Sequence, residues 1–276
     1  MENTYKYVFV ILVYKNTSDL ENCLKTINKN VRQSHKSIVV NAYFDDYTKA
    51  ASEKVANKYD CDFINIENKG YSYGNNKGIQ LAKDHYHFEY IVVCNPDVEI
   101  LEFDDRYLNE SFEYDIIAPR ITTLSGKRQN PMATKRNRIT EYLEYWGFKT
   151  RIMPLVFGGI LISKISRFFG IAVKKIKGQN IYPIHCVHGS FVIFSRKAIS
   201  KLIPVYDEKI FLFAEEGILA TRASTLDIKC CYYDFVKILH KEDGSMKLSD
   251  FSINEILRES NLYYLETYVM SKKRRE

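Results

Sequence analysis

Strand and helix signals alternate through the first hundred residues, and this alternation limits the chain to few folds. Tyr7–Val13 is an uninterrupted apolar run, β-branched over much of its length, as in a strand buried on both faces. Ser18-Asp19-Leu20-Glu21 reads as a capping box, and Leu20, Cys23, Leu24, Ile27 and Val31 follow at helical spacing. The pattern then gives a strand at Ser37–Ala42, a helix at Lys49–Tyr59, a strand at Asp62–Ile66, a helix at Asn75–Lys83 and a strand at Glu89–Cys94. Such alternation predicts a mostly parallel central sheet flanked by helices. Ligands of such sheets bind at the carboxyl ends of the strands. The polar clusters that follow strands are therefore the ones to read: Tyr14-Lys15-Asn16, Asn41 to Asp46, Glu67 to Asn76, and Asn95-Pro96-Asp97.

The 276 residues suffice for one large α/β domain with an elaborated C-terminal part. Hydrophobic residues at 46% and charged residues at 27% place the chain among folded globules. Three stretches are expected: 1–126, 127–180 and 181–276. The middle one departs from the pattern. Lys127 to Arg138 is basic and loop-like, and 152–177 is apolar and basic together. Pro154 and Gly158-Gly159 interrupt that run, so a helix is expected only from Ile160. No uninterrupted apolar stretch reaches the roughly 18–20 residues of a spanning helix, and none is expected to cross a membrane. Beyond Ile181 the patterning predicts a strand at Phe191–Ser195, a helix at Glu215–Thr225, a strand at Ile228–Tyr233, a helix from about Asp250 to Met270, and a frayed basic tail at Lys272–Arg275.

Six cysteines without a CxxC pair point to neither zinc nor disulfides, and to a reducing compartment. A net charge of +6 fits an anionic ligand or an anionic membrane surface and is too small to imply nucleic acid.

Four clusters carry chemistry, each with a plainer reading beside it. Asp97 ends a strand, where a carboxylate can hold Mg²⁺ or Mn²⁺ or merely complete a turn. Three glycines between Gly70 and Gly78 let backbone approach a ligand, or form a surface turn. Glu215 and Glu216 open a helix, where a carboxylate can act as general base or only complement the helix dipole. His240, after the apolar run Phe235–Leu239, is a metal or phosphate contact or a structural hydrogen-bonding residue.

Taken in order, these clusters resemble the family 2 glycosyltransferases, and within them the rhamnosyltransferase-like branch. The residues that carry the likeness are Asn68-Lys69-Gly70 through Gly74-Asn75-Asn76-Lys77-Gly78, Asn95-Pro96-Asp97-Val98, His188-Gly189-Ser190, Tyr206 through Glu216, and His240-x-x-Gly244-x-Ser245. The likeness covers roughly residues 5–98 and 185–245. Val40 stands where the family often has an Asp, Lys15 intrudes between Tyr14 and Asn16, Glu216 replaces an Asp, and Gly217-Ile218 replaces Val-Asp.

The resemblance implies a GT-A type nucleotide-binding fold and an inverting transfer from a nucleoside diphosphate sugar, with a dTDP or UDP donor. It places the nucleotide-sugar half in 1–126 and the acceptor and catalytic half in 181–276. Tyr14, Asn16, Asn41 and Asp45 would line the base pocket. Gly70, Asn75, Asn76, Asn95 and Asp97 would border the ribose and diphosphate. His188, Gly189, Ser190 and Arg222 would face the acceptor. Asp97 and His240 would hold Mg²⁺ or Mn²⁺, and Glu216, or else Glu215, would be the base. A glycan or polyprenyl-linked acceptor is implied; residues 152–177, apolar and flanked by cations, read either as a segment lying in the interface of an anionic membrane, with the enzyme peripheral on its cytoplasmic face, or as a core helix with snorkelling lysines. A nucleotidyltransferase, or a degenerate scaffold of a glycan-assembly complex, are the alternatives.

Overall fold

The computed structural model describes residues 4–109, 112–242 and 253–271. Among the described residues nine strands form one sheet: β1 (Thr4–Val13), β2 (His35–Ala42), β3 (Asp62–Ile66), β4 (His87–Cys94), β5 (Val98–Phe103), β6 (Ile116–Thr123), β7 (Ile181–Pro183), β8 (Phe191–Ser195) and β9 (Cys230–His240). Their order is β3-β2-β1-β4-β8-β6-β9-β5, with β7 also on β9. The first four strands are parallel, β8 is antiparallel to both β4 and β6, and β6 and β9 are parallel. The helices are α1 (Thr17–Asn30), α2 (Asp46–Lys58), α3 (Tyr71–His85), α4 (Arg138–Thr150), α5 (Met153–Ile176), α6 (Arg196–Lys201), α7 (Glu215–Thr225) and α8 (Ile253–Tyr264), the last continued by a π-helical turn at Leu265–Met270.

The continuous apolar run of β1 is explained by burial on both faces. Val8 and Val10 enter one core with Ile38, Val40 and Val93. Tyr7, Phe9 and Ile11 enter the other with Val39, Val92 and the α1 residues Leu20, Cys23, Leu24 and Ile27. Helix α3 lies close on the first face because it has glycines there. A Cβ at Gly78 would sit 2.3 Å from Val10 Cγ1 and 2.8 Å from Val40 Cγ2. Overpacking of that kind costs about 1–3 kcal/mol.

Three of the elements that differ from their sequence patterns have a local cause. Helix α1 is capped by Asn16, whose side chain accepts from the Asp19 N–H, so Ser18 is already helical. Helix α3 begins at Tyr71, ahead of the expected start at Asn75, which places Gly74 as well as Gly78 inside it. Helix α5 starts at Met153 and runs unbroken through Gly158-Gly159 for 24 residues. Pro154 sits in the first turn, where its missing N–H costs nothing. Gly159 lets α4 approach, since a Cβ there would meet Glu144 Cγ at 2.8 Å. With a mean hydropathy of 1.6 in its most apolar window, α5 is long and apolar enough to cross a membrane by length and composition. This corrects the expectation that no segment would be. Gly244, Ser245, residues 250–252 and the Lys272–Arg275 tail lie outside the described residues.

Candidate active site

A cavity of about 660 Å³ opens at the carboxyl ends of β1 and β4, where the strand order turns back on itself. Tyr14 and Asn16 line it after β1, and Asn95, Pro96 and Asp97 after β4. His188, Gly189 and Ser190 enter ahead of β8, Phe211 to Glu216 ahead of α7, and His240 from the end of β9. Residues more than a hundred positions apart therefore share one space.

Asp97 is buried, and its Oδ1 has no hydrogen-bond partner. Its Oδ2 lies 3.3 Å from His240 Nε2. The backbone holds the two together, with Lys241 N–H donating to the Asp97 carbonyl at 3.0 Å. Gln129 fixes the imidazole. Its Nε2 donates to Glu242 Oε1 at 2.9 Å, which leaves Oε1 to accept from His240 Nδ1–H at 2.7 Å. In the neutral ring Nε2 is then a bare lone pair facing a carboxylate oxygen, two acceptors with nothing between them. A cation satisfies both, as well as the orphaned Oδ1. Among the described residues no cluster of three or more His, Cys, Asp or Glu forms a complete cage. Two protein ligands suit Mg²⁺ or Mn²⁺, which take remaining oxygens from water and substrate phosphates. Gln129 lies in the basic stretch after β6, and no spacing in the sequence marks it.

His188 is a different histidine. Its Nδ1 accepts from the Ser190 N–H at 3.2 Å and pairs with Ser190 Oγ at 2.9 Å. Burial, with His240, Arg167 and Lys127 nearby, pushes its pKa down to about 3, so it stays neutral and carries its proton on Nε2.

The acid pair stands on an unusual turn. Phe213 and Ala214 have φ of 71° and 65°, two successive left-handed residues without glycine. Such strain persists only where the surroundings enforce it. Tyr71 N–H donates to the Phe211 carbonyl at 2.8 Å, and Ser260 Oγ donates to the Leu212 carbonyl at 2.7 Å. Gly70 makes the first contact possible, since a Cβ there would fall 2.2 Å from the Phe211 oxygen. Both carboxyls are pushed above the ordinary range, Glu216 by burial and Glu215 by burial and the charge of Glu216. Gly189 N–H donates to Glu216 Oε1 at 3.2 Å, whereas Glu215 Oε1 is buried without a partner. Burial and the charge of Glu216 together push Glu215 up to about 8, so the pair's negative charge rests on Glu216.

Several expected site residues belong to the framework instead. Asn75 is buried and donates to the Tyr71 carbonyl. Asn76 donates to the Tyr206 carbonyl and to Glu208, and accepts from Tyr206 N–H. Both lie within α3, turned away from the cavity lining. Asn41 is buried against Asn65, with Nδ2 donating to Oδ1 at 2.7 Å. Asp45 caps α2 by accepting from the Thr48 N–H, which lowers its pKa. Arg222 donates to the Val205 carbonyl at 2.7 Å and holds the segment leading to the acid turn. None of the three lines the cavity. The sequence reading missed one wall altogether: Met132 and the α8 residues Ile253, Ile256 and Leu257 give the mouth an apolar side.

No protein-family profile matches the chain. A curated relative, the low-salt glycan biosynthesis hexosyltransferase Agl10 of Haloferax volcanii, is 24% identical over 267 residues, covering 95% of this chain and 76% of its own. Among solved structures, GalNAc-T7 with UDP, GalNAc and Mn²⁺ superposes with a TM-score of 0.64 at 11% identity over 99% of this chain. S. aureus TarS superposes with a TM-score of 0.52 at 13% identity over 83%. The chain spans 50% of the length of the first and 36% of the second. With the sheet order and the cavity at its switch point, these likenesses identify the fold as that of the GT-A glycosyltransferases.

Proposed function

We propose that the chain is an inverting glycosyltransferase that moves a sugar from a nucleoside diphosphate donor to a hydroxyl of a growing, lipid-linked glycan. The observation that carries this reading is that a buried carboxylate pair and the Asp97–His240 pair line one cavity at the strand ends. Agl10, a hexosyltransferase, and the GT-A neighbours support sugar transfer.

The nucleotide enters beside Tyr14 and Asn16, and its diphosphate lies toward Asp97 and His240. A Mg²⁺ or Mn²⁺ ion held there would neutralise charge growing on the departing diphosphate. His188, neutral and protonated on Nε2, offers a hydrogen bond without adding charge. The acceptor hydroxyl approaches the anomeric carbon from the side of Glu216. As its oxygen bonds to that carbon and the carbon–phosphate oxygen bond breaks, Glu216 takes the hydroxyl proton. One displacement inverts the anomeric centre. Glu215, holding a proton, keeps the pair at a single negative charge.

The donor is a dTDP or UDP sugar, and the motif order favours rhamnose or a hexose. The apolar mouth formed by Met132 and α8 supports an acceptor that carries a lipid, and with it a site of action at the cytoplasmic face of a membrane. A thermal-shift screen of nucleotide sugars with Mn²⁺ tests the reading. A donor at a hundredfold its Kd stabilises by about 2.7 kcal/mol, and Asp97→Asn should remove the Mn²⁺-dependent part of that gain. A folded protein that no nucleotide stabilises would overturn it.

A further inference from the structure

Helices α4 and α5 form an antiparallel hairpin with two contrasting faces. One stripe of α5 lies on the protein along the whole helix. Val156 is buried against Gly147 of α4, and Gly159 against Glu144. Arg167 donates to the carbonyls of Arg128 and Gln129, Gly170 sits on Thr134, and Lys174 stands over the Tyr182 ring. The opposite stripe is apolar and open. Phe157 is 62% exposed, Phe168 69%, Phe169 63% and Ile176 85%, with Leu161 and Ile165 exposed between them. These positions recur at three- and four-residue spacing and form one continuous face. On α4, Ile139, Tyr142 and Trp146 are exposed at the same spacing.

Charge names the partner. From Tyr145 to Tyr206 the chain has no Asp or Glu and ten Lys and Arg. Lys164, Lys175 and Lys177 are exposed on or just beyond α5, and no ion pair among the described residues engages them. An apolar stripe bordered by cations and free of acids complements a lipid surface of negative charge. A water-soluble protein partner would leave the aliphatic stripe unmatched to so one-sided a charge.

The geometry also selects how the helix lies. At 24 residues α5 is about 36 Å long, enough for a hydrocarbon core of about 30 Å. Yet β6 before the hairpin and β7 after it both pair with β9, so both ends are tied to the same strand of the sheet. Contacts at Val156, Arg167, Gly170 and Lys174 pin the helix from its first turns to its last. Crossing would peel off every one of them.

We propose that the α4–α5 hairpin is an in-plane anchor that beds its Phe157–Ile176 stripe in the surface of an anionic lipid leaflet. The same hairpin shares a small core with α8: Phe148, Val156 and Leu265 pack with Leu257, which also lines the cavity. Docking there brings the apolar mouth to the lipid surface. This deepens the membrane placement proposed above, and vesicle binding without donor separates it from the transfer reaction.

The test is co-sedimentation with vesicles of equal parts phosphatidylglycerol and phosphatidylcholine, without nucleotide and at low salt, against pure phosphatidylcholine. Binding is expected to the anionic vesicles, weakened by salt, and released by alkaline carbonate. Phe168→Ser with Phe169→Ser should weaken partitioning by about tenfold or more. Each of Lys164→Glu and Lys175→Glu should weaken it by about fivefold or more. Phe168→Leu with Phe169→Leu should restore it, and an unchanged melting temperature shows that the variants fold. Failure of the wild type to sediment overturns the proposal. So does resistance to carbonate, which marks a span, or a dimer in solution that the Phe-to-Ser pair converts to monomer without any vesicle binding.

Discussion

Asn76→Ala separates a donor contact from a framework role. The Asn76 side chain makes three hydrogen bonds, to the Tyr206 carbonyl at 2.8 Å, to Glu208 Oε1 at 2.9 Å and from Tyr206 N–H at 3.0 Å. Truncation leaves both backbone groups of buried Tyr206 without a partner, while Glu208 can turn to water. Two such orphans at about 1–3 kcal/mol each give a loss of about 2–6 kcal/mol. For a chain of this size that lowers the melting temperature by roughly 5–15 °C. Tyr206 contacts the Tyr71 ring edge to face, and Tyr71 in turn donates to the Gly189 carbonyl beside Glu216. Turnover should therefore fall as well, through displacement of the acid turn. Nucleotide affinity of the folded variant, read by calorimetry well below its melting point, should be unchanged. A variant of wild-type stability that has lost nucleotide binding would refute this reasoning and return Asn76 to the donor site.

Gly70→Ala forces a Cβ to 2.2 Å from the Phe211 oxygen at a φ of +99°. It should cost about 2–5 kcal/mol and reduce turnover, read by denaturant melts and a transfer assay. Gln129→Leu removes the acceptor that orients His240 and should raise the Mn²⁺ concentration needed for half-maximal activity by about 10–100-fold, with the fold intact by circular dichroism. Arg222→Ala loses one hydrogen bond to Val205 and no cavity contact, so a stability loss of about 1 kcal/mol with an unchanged KM for the acceptor is expected. Because Glu216 must be ionised to accept a proton and burial raises its pKa, kcat/KM should fall toward acid from a limb above the ordinary Glu value of about 4.3. Glu215→Gln should leave that limb in place, because Glu215 already holds its proton while Glu216 titrates.

The parallel half of the sheet was legible because its strands are buried on both faces. An apolar run bounded by polar residues then has one reading, and the strands expected at Ser37–Ala42 and Glu89–Cys94 fall within β2 and β4. Strand β6 was not legible. Pro119 interrupts its pattern, and the structure accommodates it at a bulge against β9 between Pro119 and Arg120. The start of α3 misled in the other direction, since the helix was expected only from Asn75 and begins at Tyr71. Glycine and asparagine suggest a loop, yet the glycines permit close contact with Leu12, Val10 and Val40, and the asparagines tie α3 to its surroundings. Asp45 shows that a carboxylate after a strand is ambiguous, since the next helix also needs a cap. Asp97, His240 and the Glu215–Glu216 pair were singled out by their order along the chain, and all four line the cavity. The apolar mouth built by α8 was not, because its residues gain meaning only when packed beside Met132.

The most direct test of the central claim is nucleoside diphosphate release from a panel of nucleotide sugars with Mn²⁺ and a polyprenyl-linked acceptor, comparing wild type with Glu216→Gln. Mass and proton NMR of the product report the added sugar and its anomeric configuration. The wild type is expected to release one diphosphate per sugar added with inversion, and Glu216→Gln to bind donor normally while turning over about a hundredfold or more slower. Equal turnover in Glu216→Gln, or retention of the anomeric configuration, would contradict the assignment of Glu216 as the base of a single displacement.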